Sequence, residues 1–130
     1  MNRQKKRVLL VDDEVGFTRL LRMNLEQTGA YEVREENVGS RAMAAVQEFK
    51  PDILFLDIIM PDMDGGSIVS QIRLSPELKE TQVVFLTAVL TKQEAKQKNG
   101  HLSFVPCLAK PVNTQEVIDC IEKYATGGSF

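Results

Sequence analysis

Three short stretches of this chain are apolar without interruption: Val8-Leu9-Leu10-Val11, Ile53-Leu54-Phe55-Leu56 and Val83-Val84-Phe85-Leu86. Side chains alternate between the two faces of a strand, so a run with no polar member has no face to offer to water. Strands of this kind are buried on both sides, as in a parallel sheet covered by helices. Two further candidates differ. Residues 31–36 carry Glu32, Arg34, Glu35 and Glu36, which only a partly exposed strand tolerates, and residues 104–108 include Pro106, whose missing amide hydrogen suits an edge. Three central strands and two edges are expected.

Helical spacing fills the gaps between them. Phe17, Leu20, Leu21 and Leu25 form one stripe with Gly29 as its stop, and Ala42, Ala45, Val46 and Phe49 form a second that must end before Pro51. Ile68, Val69 and Ile72 mark a third helix. Thr91 with Glu94 reads as a capping box for a fourth, ending near Asn99-Gly100, and Val117, Cys120, Ile121 and Tyr124 line a fifth. Strict alternation of strand and helix predicts an α/β fold: a doubly wound five-stranded parallel sheet, strand order 2-1-3-4-5, with five helices and right-handed crossovers. The expected organisation is one domain over residues 7–125, a lead-in over 1–6 and a flexible tail over 126–130.

Several function classes are disfavoured. A net charge of -2 gives no bulk attraction to a polyanion, and the only basic cluster, Arg3, Lys5, Lys6 and Arg7, reads as a solvated lead-in. There is no helix-turn-helix pattern or basic face to support direct nucleic-acid binding. Residues 8–11 are cut off at once by Asp12, Asp13 and Glu14, far short of the roughly 20 apolar residues that span a bilayer. Cys107 and Cys120 lack metal-type spacing and read as two buried packing thiols in a reducing compartment. A cytoplasmic location is expected.

In an open α/β sheet, ligands bind beyond the carboxyl ends of the strands where strand order reverses, here between strands one and three. Strand one ends in Asp12-Asp13-Glu14, strand three in Asp57 and strand four in Thr87-Ala88, while Lys110-Pro111 follow strand five. Carboxylates converging on one crevice repel each other and call for a cation. An all-oxygen set suits Mg²⁺ or Mn²⁺ rather than zinc. Lys110 would add a mobile positive charge, Thr87 a hydroxyl donor, and a carboxylate nucleophile in such a site can form an acyl phosphate. Each residue also has an ordinary reading by itself: Asp12 or Asp13 as a helix N-cap, Asp57 as the start of a turn, Thr87 as a β-branched strand residue and Lys110 as a surface lysine. Asp64 reads as the cap of helix three, and His101, the sole histidine, as a solvent-exposed loop residue.

The Asp12-Asp13 pair, the segment Asp57-Ile58-Ile59-Met60-Pro61-Asp62-Met63-Asp64-Gly65, the Thr87-Ala88 step and Lys110-Pro111 together closely resemble the response-regulator receiver family of bacterial two-component signalling, over about residues 7–124. The resemblance implies a flavodoxin-like fold and a set of roles. Asp57 would accept a phosphoryl group from a histidine kinase. Asp13, Asp57 and the Ile59 carbonyl would bind Mg²⁺ (or Mn²⁺), with Asp12 acting through water or as a further ligand. Thr87, the Ala88 amide and Lys110 would hold the phosphoryl oxygens, and Pro111 would follow a cis peptide bond. Thr87 would then shift the surface of helix four, strand five and helix five. The implied partners are a sensor histidine kinase or phosphotransfer protein and a downstream effector protein, with no nucleic acid or membrane, the chain being a monomer or a phosphorylation-dependent dimer. It would be no enzyme beyond catalysing its own phosphorylation and dephosphorylation.

Cys107 departs from the family pattern. The position three residues before the lysine is usually an aromatic switch residue, and a cysteine cannot make the coupled swing of a large ring. Ile59 and Val89 flank the site and are apolar, so neither orients an attacking water, and a long-lived phosphorylated state is expected. With no effector domain after helix five, output is expected to pass through a partner, although the chain also fits a piece of a larger regulator. Three rivals remain. A flavin carrier needs a Ser/Thr/Gly-rich loop where Asp-Asp-Glu stands. A metal-dependent phosphatase would place an acid where Ile59 stands. A receiver-like docking module that works without phosphorylation is the rival that Cys107 keeps open.

Overall fold

The computed structural model describes residues 5–88, 101–102 and 105–125. Strands β1 (Lys6–Val11), β2 (Tyr31–Glu36), β3 (Ile53–Asp57), β4 (Gln82–Thr87), β5 (His101–Leu102) and β6 (Val105–Ala109) make one sheet in the order β2-β1-β3-β4-β6-β5. The first five strands of that order are mutually parallel, which is the expected 2-1-3-4-5 arrangement. The sheet has six strands, however, and not five. His101 and Leu102 pair antiparallel with Pro106 and Val105, so His101 lies in a short strand and not in a loop. The helices are α1 (Val15–Gln27), α2 (Ala42–Phe49), α3 (Gly65–Leu74) and α4 (Thr114–Tyr124), with a 3-10 turn at Gly39–Arg41. Four helices are thus present among the described residues, α4 being the predicted fifth. The helix expected from Thr91 lies outside those residues.

The apolar runs behave as two-faced strands. In β3, Ile53 and Phe55 join one core with Val8, Leu10, Val84 and Leu86 beneath α1 and α4. Leu54 and Leu56 join the other with Leu9, Val11, Val83 and Phe85 beneath α2 and α3. Val8 to Val11 and Ile53 to Leu56 are all 0% exposed. Each such side chain contributes about 1.5–3 kcal/mol by leaving water. Ala42, Ala45, Val46 and Phe49 bury the expected face of α2. In α1 the buried positions are Thr18, Leu21 and Leu25, while Leu20 is 59% exposed. Leu20 fails because one residue turns a helix by about 100°, and the adjacent Leu21 occupies the inward line.

Local chemistry ends the elements. Gly29, at φ 82°, follows Thr28 at the end of α1. Asp64 caps α3 by accepting from the Gly66 amide, and Asn113 with Glu116 forms a reciprocal capping box on α4. Lys6 and Arg7 belong to β1 and not to a solvated lead-in: the Arg7 guanidinium stacks 4.4 Å from the Phe49 ring centre. Cys107 is buried, whereas Cys120 is only partly so, and burial pushes its thiol up to about 11. No helix among the described residues is long and apolar enough to cross a membrane.

Among the described residues, Phe55 is the largest fully buried side chain. Its truncation in Phe55→Ala is expected to cost about 3–5 kcal/mol. Urea unfolding followed by circular dichroism measures this, and a loss under about 1 kcal/mol would contradict the double-sided burial of β3.

Candidate functional site

Parallel register sets the site. Val11 pairs with Leu56, Asp57 with Leu86, and Thr87 with Ala109. The strands therefore end nearly level, and the first polar residue beyond each apolar run emerges at the same edge. Carboxylate oxygens of Asp12, Asp13 and Asp57 lie within 4.8 Å of one another. Asp12 is 0% exposed, Asp57 is buried and Asp13 faces solvent.

The two buried carboxylates are tied in the same way. Asp12 Oδ1 accepts from the Glu14 amide at 2.9 Å, and Asp57 Oδ1 accepts from the Ile59 amide at 2.9 Å. Each thereby spends one oxygen on its own turn and turns the other toward Lys110. Lys110 Nζ lies 2.6 Å from Asp12 Oδ2, 2.8 Å from Glu14 Oε1 and 3.4 Å from Asp57 Oδ2. The contact with Asp12 is a close ion pair, and Lys110 is the partner of this buried oxygen. The peptide bond between Lys110 and Pro111 is cis.

Charge is unbalanced here: among the described residues, four carboxylates, counting Glu14, face a single ammonium. Burial pushes the Asp12 carboxyl above its ordinary value, against the lowering pull of Lys110. Burial by itself would depress the Lys110 ammonium, but the bonds to Asp12 and Glu14 outweigh it and the net shift is upward. Lys110 is a fixed cation across the working pH range.

The crevice above these groups is about 630 Å³ and is walled by Asp13, Glu14, Phe17, Asp57, Ile59, Ala88, Lys110, Pro111 and Val112. Ile59 and Ala88 thus stand at its wall, as do Asp13, Asp57 and Lys110. Thr87 is fully buried at the end of β4, immediately before Ala88. Cys107 lies in the core below α2 and α3, paired in register with Phe85, and does not reach the crevice. Val89 lies outside the described residues.

Two supporting residues escaped the sequence reading. The Asn37 amide donates to the Asp12 carbonyl at 2.7 Å and to Thr18 Oγ1 at 2.9 Å. Thr18 in turn donates to Glu35 Oε1 at 2.8 Å. This chain of bonds pins the turn that carries Asp12 and Asp13 against the end of β2. No local pattern marks Asn37; only the adjacency of β1 and β2 brings it to the turn. Glu14 was visible as part of an acidic run, but its reach to Lys110 was not. On the opposite side, Asp62 Oδ2 accepts from the Ser40 amide at 3.1 Å, and a Cβ at Gly39 would collide with Asp62, so glycine is needed for the loop after β3 to approach.

A sequence model of the response regulator receiver domain matches residues 8–122. The chain belongs to that family. Among curated relatives it is 36% identical to the transcriptional regulatory protein ResD of Bacillus subtilis over 86% of this chain and 45% of ResD. It is 29% identical to sporulation initiation phosphotransferase F of Bacillus subtilis, over 92% of this chain and 93% of that protein. The chain thus spans under half the length of ResD. Among solved structures, the chemotaxis response regulator CheY4 of Vibrio cholerae superposes with a TM-score of 0.75 at 27% identity, covering 93% of this chain and 99% of that one. The receiver domain of a two-component system, with phosphorylation-based signalling, is the function class that these matches support.

Removing Lys110 leaves the buried Asp12 carboxylate without a cation. Lys110→Ala is expected to lower stability by about 3 kcal/mol in metal-free buffer. The folded Asp12 carboxyl binds its proton more tightly than the unfolded one, so this group weakens the fold as pH rises past the ordinary carboxylate range. Asp12→Asn is therefore expected to stabilise the neutral-pH protein and to restore most of the Lys110→Ala loss. Urea denaturation of both single variants and the double variant tests this, and strictly additive effects would show that the pair is uncoupled.

Proposed function

We propose that this receiver domain accepts a phosphoryl group on Asp57 from a histidine kinase or phosphotransfer protein, in a Mg²⁺-dependent reaction, and thereby controls a downstream effector protein. The observation that carries this reading is the convergence of the Asp12, Asp13 and Asp57 carboxylates with Lys110 beside a crevice walled by Asp13, Asp57 and Lys110. The donor set fits a hard divalent cation: it is all oxygen, from three carboxylates gathered within 4.8 Å of one another. Asp12, Asp13 and Asp57, with the Ile59 carbonyl, are the groups that would hold it. Bound Mg²⁺ (or Mn²⁺) supplies charge neutralisation for the carboxylates and for the transferring phosphoryl oxygens.

The chain's own residues do the rest. Asp57 attacks phosphorus as the carboxylate, so no proton need be removed from the nucleophile. A P–O bond to Asp57 forms as the P–N bond to the donor imidazole breaks, its electron pair returning to nitrogen. Lys110 stays protonated and pairs with the phosphoryl oxygens, while the Ala88 amide and the Thr87 hydroxyl donate to them. Drawing on Thr87 moves the end of β4, and the change passes to the segment that follows it, to β6 and to α4. With Ile59 and Val89 apolar, the acyl phosphate is long-lived. The domain catalyses only its own phosphorylation and its dephosphorylation, in which water takes the phosphoryl group as inorganic phosphate and the Asp57 carboxylate is restored.

A second reading, a docking module that works without phosphorylation, is favoured by Cys107. Its small side chain is sealed in the core, three residues before Lys110, where a ring would be needed for the usual coupled swing. Intact mass after incubation with acetyl phosphate and Mg²⁺ separates the two. A gain of about 80 Da that needs Mg²⁺ and vanishes in Asp57→Asn is expected. No adduct from acetyl phosphate, or from a cognate kinase, would leave the docking module as the better reading.

A further inference from the structure

Glu14 occupies the N-cap position of α1, where a side-chain oxygen ordinarily accepts from the first free helix amides. Here the side chain makes no capping bond. Its Oε1 instead lies 2.8 Å from Lys110 Nζ, a residue 96 positions away, and the carboxylate stays 64% exposed at the rim of the crevice. Among the carboxylates that touch Lys110, Asp12 and Asp57 belong to the trio able to hold a cation, whereas Glu14 does not. A cation on the trio would weaken the pull of Asp12 and Asp57 on Lys110 and leave Glu14 as its remaining full anionic partner. Lys110 is closer to Glu14 than to Asp57, by the 2.8 and 3.4 Å distances above.

We infer that Glu14 is a positioning residue that competes with the phosphoryl group for Lys110 and, as a fixed negative charge at the rim, opposes entry of anionic phosphodonors. This rests on the proposed phosphorylation of Asp57. When a phosphoryl group arrives, Lys110 must shift its ion pair from Glu14 toward Asp57, and Glu14 sets how readily it does so. Glu14 thus tunes both the rate of phosphorylation and the persistence of the phosphorylated state, without touching phosphorus.

The test compares wild type with Glu14→Gln and Glu14→Ala at saturating Mg²⁺. Phosphorylation by acetyl phosphate is followed at low and high salt, and decay of the phosphorylated form is followed after donor removal. Both variants are expected to react about fourfold faster at low salt, the size of one unit charge acting over about 5 Å in a water-like medium. The gain should shrink at high salt through screening, and the phosphorylated form should decay more slowly. A purely structural role for Glu14 would move neither the salt dependence nor the decay. Variants that react no faster than wild type, or a gain indifferent to salt, would overturn the inference while leaving Asp57 phosphorylation intact. A wild type that takes up no phosphoryl group would instead overturn the functional reading itself, and this inference with it.

Discussion

Burial on both faces of β1, β3 and β4 is the constraint from which the rest of the structure follows. A strand enclosed by two helical layers has no position for a charge along its middle, because an unpaired buried charge is costly. Polar residues are therefore displaced to the strand ends. Parallel register then stacks those ends at one edge, so Asp12, Asp57 and Lys110 meet there although β1, β3 and β6 are far apart in the chain. The same packing that holds the fold together assembles the site.

That assembly leaves the site charged in an unusual way. Asp12 is fully buried and Asp57 nearly so, and both lean on one ammonium that also serves Glu14. The arrangement is held rigid by backbone amides at Glu14 and Ile59 and by the Asn37–Thr18–Glu35 chain. Electrostatic tension is thus built into a stiff frame.

Much of this architecture is legible in the sequence. The apolar runs named the central strands, and the 3.6-residue spacing named the buried face of α2. Strand order, once assumed, put the Asp and Lys residues at a common edge. The failures have physical causes. Leu20 belongs to the predicted stripe yet faces water, because its neighbour Leu21 takes the inward line and the two diverge around the helix. The two-residue strand at His101 has no period to detect, so the sequence reads there as a loop. Lys6 and Arg7 were read as solvated because their charge hid the stacking of Arg7 on Phe49.

The order of elements, the doubly buried strands and the residue types at each strand end were determined by the sequence alone, since alternation and helical spacing are local and survive without knowledge of neighbours. The pairing of charges was decided only by the tertiary structure. Whether Lys110 meets Glu14, or Asn37 holds the Asp12 carbonyl, depends on placements good to a few tenths of an ångström between distant segments. No local period carries that information, because hydrogen bonds and ion pairs fall off over distances far shorter than the spacing of the elements that supply them.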